Sequence, residues 1–293
     1  MGVEKVNIVV TGASGYVGST VLRALTEAGH GVKGIARHAD KSAPAGVRWA
    51  LGDIRDMDLV EPFRGADAVI HLIGIIREIP AQKVTFEAMH VASTQRVLAA
   101  MNTLGIPRLI QMSALGTRPR AVSQYHRTKW EAEQLVRATS HLKATILRPS
   151  LIFGGHAPFF DMLGSLAKLP MVPVPGDGNT LFQPVYRGDV AALICALLED
   201  SGTAGKTMEI GGPDRYTLNQ LFDFMGAQAG RPHPPKMHLP LGFVGAVARL
   251  SNVLPVPVTP DQLAMLTEPN ITDDDQWHQW VDQPTTLASG HKK

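Results

Sequence analysis

The segment Val9-Val-Thr-Gly-Ala-Ser-Gly-Tyr-Val-Gly18 constrains this chain more than any other. An apolar run, Val6–Val10, leads directly into glycines at 12, 15 and 18. Val17, Val21, Leu25 and Ala28 then recur at helical spacing until Gly29. Strand, glycine turn and helix in that order open a βαβ unit. The first glycine permits the tight turn, the second lets backbone approach a pyrophosphate, and the third lets the helix pack closely on the strand. Free N–H groups and the positive end of the helix dipole then favour phosphate oxygens. A glycine-rich turn without a ligand is the bland alternative, and the flanking strand and helix argue against it. Gly12, Ser14, Gly15, Tyr16, Val17 and Gly18 are the cofactor-binding positions expected here.

Downstream of the turn, strand and helix patterns keep alternating. Strands are predicted at Gly31–Ala36, Val47–Ala50, Ala68–Ile73, Arg108–Met112 and Ala144–Leu147. Phe86, Met89, Val97, Leu98 and Met101 suit a long helix ending near Gly105, and Gln124–Thr139 suits another. This alternation predicts an α/β fold: a Rossmann-type, doubly wound parallel sheet covered on both faces. After Pro149 the texture changes, with prolines and glycines crowded into 154–178 and 230–260. Residues 1–150 are therefore expected to form the nucleotide-binding domain, and 151–293 a smaller α/β lobe interleaved with it. Helices at Gly188–Glu199 and Thr217–Ala229 and strands near Phe182–Tyr186 and Thr207–Ile210 are expected in that lobe. From about 270 on the chain is polar and is expected to be loosely ordered. Trp277 and Trp280, three apart, suggest a cap on an apolar surface.

Composition narrows the class. The chain is 44% hydrophobic and 18% charged with a net charge of +2, which fits a globular core and leaves no polyanion footprint, so nucleic acid is not expected as a partner. The one cysteine, Cys195, rules out an intrachain disulfide and lies in an apolar helical run, as a buried thiol would. The scattered histidines show no metal-ligand spacing. No uncharged apolar run is long enough to span a bilayer, and no signal stretch opens the chain, so a cytoplasmic protein is expected. Leu239–Val258 carries one charge, Arg249, in twenty residues. That stretch is read either as ordinary lobe packing or as an apolar surface for a protein partner, a membrane face or a lipid-like substrate such as a quinone. The second reading would place the protein at the periphery of a membrane complex.

The spacing Thr11-Gly-x-x-Gly-x-x-Gly resembles the extended and atypical short-chain dehydrogenase/reductases, the NAD-dependent epimerase/dehydratase superfamily. Gly52-Asp53-Ile54 looks like that family's adenine-contacting segment. His71-Leu72-Ile73-Gly74 resembles the fourth-strand segment that runs past the cofactor. Tyr125-His-Arg-Thr-Lys129 matches the Tyr-x-x-x-Lys active site, and Leu147-Arg-Pro149-Ser resembles the segment beside the nicotinamide. Within the superfamily the chain is most similar to the NAD(P)H-binding accessory subunit of respiratory complex I and its bacterial relatives. The segments Gly74-Ile-Ile-Arg-Glu, Phe86-Glu-Ala-Met-His-Val, Ser113-Ala-Leu-Gly116, Gln183-Pro-Val-Tyr186, Gly211-Gly-Pro213 and Leu254–Leu263 carry that likeness. The resemblance implies that Asp53, Ile54, Leu72, Ile73, Gly74 and Pro149 border the cofactor, and that Lys129 also meets the nicotinamide ribose.

Arg37 stands at the end of the second strand, where a NAD-specific site would carry a carboxylate for the ribose 2′-hydroxyl. A guanidinium there suits a 2′-phosphate, so NADP(H) is favoured over NAD(H). A solvated basic loop containing Asp40 is the alternative. Tyr125 and Lys129 are four apart on a predicted helix and so share a face. An ammonium beside the phenol is expected to lower its pKa towards acid/base use, and His126 is expected to face away. Ser113 resembles the family serine that donates to the substrate oxygen. His90 stands where many extended members carry Asn, which weakens any claim to a full proton relay. Three functions follow: an NADP(H)-dependent oxidoreductase acting on a carbonyl or alcohol, towards which the intact Tyr125, Lys129 and Ser113 lean; a non-catalytic NADPH-holding structural or assembly protein; or a sugar-nucleotide epimerase or dehydratase. Sparse basic residues in the later half disfavour the third, with Arg187 the lone candidate for a diphosphate.

Overall fold

Seven parallel strands form the centre of the molecule, in a computed structural model that describes residues 5–249 and 258–291. In chain order they are β1 (Asn7–Thr11), β2 (Gly31–Ala36), β3 (Arg48–Leu51), β4 (Ala68–His71), β5 (Arg108–Met112), β6 (Lys143–Pro149) and β11 (Thr207–Ile210), and in space they run β11-β6-β5-β4-β1-β2-β3. β1 and β4 are neighbours although two strands separate them in sequence, so the winding reverses between them. The crevice above their carboxyl ends is where such sheets take ligands. The Gly12 turn leaves β1 there and Leu72–Gly74 leaves β4 beside it.

The strands are almost continuously buried because helices cover both faces. One apolar layer brings α1 (Gly18–Glu27) and α6 (Arg187–Glu199) onto Ile8, Val10, Ile70 and Ile110. The other joins α2 (Val60–Phe63), α3 (Ser93–Leu104) and α4 (Gln124–Ala138) to Val9, Val69 and Leu109. The long helix expected over 86–104 has a π-helical first part, Glu87–Ala92, before α3. Gly105 closes it with a φ of +65°, a conformation that favours glycine.

A third apolar cluster forms the smaller lobe. It is built from α5 (Pro158–Ala167) and α7 (Leu218–Gln228) around Phe153, Phe160, Phe182 and Phe222. Short strand pairs frame it: β7 (Ile152–Phe153) with β10 (Val185–Tyr186), β9 (Leu181–Phe182) with β12 (Tyr216–Thr217), and β8 (Val172–Pro175) with β13 (Lys236–Leu239). The chain crosses between lobes repeatedly, since α6 and β11 return to the main sheet. Cys195 lies half-buried in α6, and burial pushes its thiol up to about 11, so it is held as an unreactive thiol.

The C-terminal stretch differs from the expectation of loose order. Thr272 donates from its backbone N–H to Gln183 Oε1 and from its hydroxyl to Glu209 Oε2, Arg215 pairs with Asp273, and Thr285 donates to Asp189. Trp277, fully buried, is a core residue of the α1–α6 layer rather than a surface cap, and Trp280 donates to Asp200 at 3.2 Å. Polar composition misled because these side chains bond back onto the sheet. α8 (Leu241–Ala248) contrasts with it. Phe243 is 58% exposed and Val247 37% exposed, so the low-charge stretch does present apolar surface; Leu254 lies outside the described residues. No helix among the described residues is long and apolar enough to cross a membrane.

Candidate dinucleotide and active site

The glycine turn is held against β2, with the N–H groups of Gly12 and Ala13 donating to Ile35 O at 3.1 and 3.3 Å. Gly12 has a φ of +74°, and a Cβ on it would meet Ile73 at 3.2 Å. A Cβ on Gly18 would lie 2.2 Å from Gly12 O, so only glycine lets α1 start this close to the turn. Ser14 and Gly15, at the apex, are exposed. Among the described residues no acceptor takes the N–H of Ser14, Tyr16 or Val17. An open cradle of unpaired donors at a helix start fits a dinucleotide pyrophosphate.

Asp53 and Arg37 sit over the neighbouring strand ends. Arg55 grips the Asp53 carboxylate at 2.6 Å, and its hydrogen bonds hold that carboxyl down at about 2, with Arg37 adding a smaller effect. Arg37 is exposed and has no ion-pair partner among the described residues. Ile54 is buried beneath this segment.

Tyr125 and Lys129 share one face of α4, as the spacing required. Lys129, 3% exposed, donates to Met112 O at 3.0 Å and to Ile73 O at 3.3 Å, and lies against Gly74, where a Cβ would stand 3.0 Å from its Nζ. Burial pulls its ammonium down to about 8, Glu133 opposing. Tyr125 sits in an aromatic cage, its ring 5.9 Å from Phe86, 5.3 Å from His90 and 5.2 Å from His126. The expected lowering of the phenol is reversed: burial, then the Asp261 charge, push it up to about 12. His126 also turns towards Tyr125 rather than away, since Ser123 holds its Nδ1 at 2.9 Å.

Ser113 belongs to a buried hydrogen-bond network. Its hydroxyl donates to Glu133 Oε1 at 2.6 Å, and Glu133, fully buried, is gripped by Arg148 through Nε and Nη2, both at 2.8 Å. The serine is thus turned into the protein, because a buried carboxylate outcompetes a neutral acceptor for its proton. Pro149 is buried at the end of β6, where its carbonyl accepts from Leu115 N at 2.8 Å.

Several site residues carried no decisive sequence signal. His90 accepts from Ile75 N at 3.2 Å through Nε2, so its Nδ1 carries the proton and donates to Thr128 Oγ1 at 2.8 Å. The ring therefore ties the segment after β4 to α4 as a neutral strut. His71, fully buried, bonds Thr11 at 2.6 Å. Asp261, in α9 (Pro260–Leu266), accepts from the N–H groups of Gln124 and Tyr125 at 2.5 and 3.2 Å, capping α4 from the far end of the chain. Glu133 had a legible signal, since Tyr125, Lys129 and Glu133 form a stripe at four-residue spacing. Among the described residues no group of three or more His, Cys, Asp or Glu could hold a metal ion.

Residues 8–211 match the family described as NAD dependent epimerase/dehydratase, over the sheet, the glycine turn and the Tyr125–Lys129 helix together. The chain belongs to this family. Among curated relatives of this family member, NADH dehydrogenase (ubiquinone) 1 alpha subcomplex subunit 9, mitochondrial, of Arabidopsis thaliana is 32% identical over 91% of this chain and 69% of its own length. The NADH-ubiquinone oxidoreductase 40 kDa subunit of Neurospora crassa is 28% identical over 74% of this chain, which spans only 58% of that protein. Among solved structures, MoeE5 in complex with UDP-glucuronic acid and NAD superposes with a TM-score of 0.76 over 97% of this chain and 96% of its own, at 20% identity. At that identity the superposition shows the shared fold.

Proposed function

We propose that this epimerase/dehydratase family member holds a nicotinamide dinucleotide as a standing ligand and serves as an accessory or assembly subunit of a membrane-associated respiratory complex. The observation that carries this reading is the Ser113–Glu133–Arg148 network: the serine that would donate to a substrate oxygen is bonded to a buried carboxylate instead. The relatives named as subunits of NADH dehydrogenase supply the kind of assembly. Exposed Phe243 and Val247 on α8 supply an apolar face for a protein partner or the membrane periphery.

NADP(H) is favoured over NAD(H), since Arg37 is an unpaired guanidinium at the end of β2. When bound, the dinucleotide supplies a hydride carrier. This chain's own residues would cradle its phosphates at Ser14–Val17 and border its nicotinamide side with Lys129, Gly74 and Pro149.

Oxidoreductase action on a carbonyl or alcohol is the second reading, favoured by one observation: Tyr125 and Lys129 keep a common face, with an ammonium at about 8. Sugar-nucleotide chemistry is less supported, because residues 151–187 carry only Lys168 and Arg187 as permanent cations for a diphosphate. Mass spectrometry of the nucleotide retained through purification, followed by incubation with carbonyl and quinone substrates, separates these readings. A retained NADPH that none of them oxidises is expected. Multiple turnover with any of them would replace the structural reading by the catalytic one.

A further inference from the structure

Arg187, the first residue of α6, belongs to neither the glycine turn nor the Tyr125–Lys129 face, yet its guanidinium lies 5.5 Å over the ring of Tyr16, inside the turn. Tyr16 is half-buried, packs against the smaller lobe's aromatic cluster, and donates from its hydroxyl to Gly154 O at 2.8 Å. Room for the arginine is made by two glycines. Gly154 and Gly155 have φ of +116° and +58°, and a Cβ on Gly155 would stand 2.8 Å from Arg187 Nη2. The guanidinium forms no ion pair or hydrogen bond among the described residues. Asp161, whose charge also reaches Tyr16, pairs with His156 at 3.8 Å instead.

A half-buried guanidinium with no carboxylate partner among the described residues thus lies over Tyr16, beside the Ser14, Tyr16 and Val17 N–H groups that take no acceptor there. We infer that Arg187 is a side-chain arm of the phosphate site, closing on the dinucleotide pyrophosphate from the smaller lobe while Ser14–Val17 hold it from the sheet. This rests on the dinucleotide reading above. The chemistry required is an oxyanion pair presented at the turn, which a planar guanidinium can take by two parallel charge-assisted bonds. The cation–π contact with Tyr16 and the close approach to Gly155 hold the guanidinium in place, so less side-chain freedom is lost on binding.

The test compares the wild-type chain with Arg187→Gln, Arg187→Lys and Gly155→Ala by calorimetric titration with NADPH and with ADP-ribose, which keeps the pyrophosphate and lacks the nicotinamide. Arg187→Gln should weaken both ligands tenfold or more, with unliganded thermal unfolding unchanged. Arg187→Lys should recover part of the loss, and Gly155→Ala should weaken both by displacing the guanidinium. Equal affinity of wild type and Arg187→Gln for both ligands would overturn the inference and leave the dinucleotide reading standing. Loss confined to NADPH would also overturn it, by placing the arginine beyond the pyrophosphate. A wild-type chain that binds neither ligand would remove the dinucleotide reading and this arm with it.

Discussion

Gly15 and Gly18 sit three residues apart and answer to different constraints. Gly18 faces backbone, with a Cβ 2.2 Å from Gly12 O and 2.8 Å from Ala13 O, so Gly18→Ala must shift the turn or the helix and should cost about 1–3 kcal/mol of stability. Gly15 is exposed at the apex, where a Cβ would meet only Gly12 O, at 3.0 Å, so Gly15→Val should fold and lose NADPH affinity by more than tenfold; a folded variant binding as tightly as wild type would sink the cradle. Arg37→Asp should cost NADPH more than tenfold, about 1.4 kcal/mol, and leave NADH unchanged or improved. Equal losses for the two nucleotides would assign Arg37 to the fold. For Tyr125→Phe the two functional readings part. Under the structural reading the variant keeps NADPH affinity and changes stability slightly. An enzyme using Tyr125 as its acid/base would lose about 10²–10⁴-fold in turnover.

Among the elements, α4 depends on a distant one. Its N-cap is Ser123, which accepts from His126 N at 3.1 Å, and Asp261 of α9 takes the N–H groups of Gln124 and Tyr125 that Ser123 cannot reach. Asp261→Ala should therefore destabilise the chain by about 0.5–2 kcal/mol in chemical denaturation, the range of a lost helix cap. It should also ease the Tyr125 phenol downwards, because the Asp261 charge is one of the two causes raising it. An unchanged midpoint would mean that water replaces the cap at no cost. α8 is held differently. If the chain belongs to a membrane-associated complex as proposed, replacing Phe243 and Val247 together with Asp should leave NADPH affinity intact and abolish co-fractionation with membranes. Retention on membranes would move the docking face elsewhere.

At the scale of the whole molecule, three buried histidines set the acid limit. Burial takes His71 down to about 3 and His126 to about 4, and it holds His90 well below its usual value. Folding thus keeps them neutral at pH values where the unfolded chain protonates them near 6.5. Below that pH the unfolded state binds more protons, so stability falls as pH falls. Each histidine contributes up to about 1.4 kcal/mol per pH unit until its folded value is passed. Melting temperature should therefore drop steadily from pH 6.5 to 5, and a flat profile over that range would mean that the rings open to water. Dinucleotide binding acts in the opposite direction, adding about 2.7 kcal/mol at a hundredfold excess over Kd.

Local rules were enough to read the strand order's ingredients and the glycine turn. Apolar runs bounded by glycine, and helical spacing from Val17 to Ala28, are decided within ten or fifteen residues of chain. The four-residue step from Tyr125 to Lys129 is equally local, and the structure keeps both on one face. What those side chains do there was decided by partners far away in sequence. Asp261 lies 136 residues from Tyr125, and burial by Phe86 and His90 completes the cage that reverses the expected pKa shift. Ser113 looked free to donate because Glu133 and Arg148 reach it only when α4 and β6 pack against β5. The C-terminal stretch looked loose because its polar side chains find their acceptors only on an assembled sheet. Periodicity and turn chemistry are properties of a segment, whereas desolvation and hydrogen-bond competition are properties of a packed interior, and those belong to the tertiary structure.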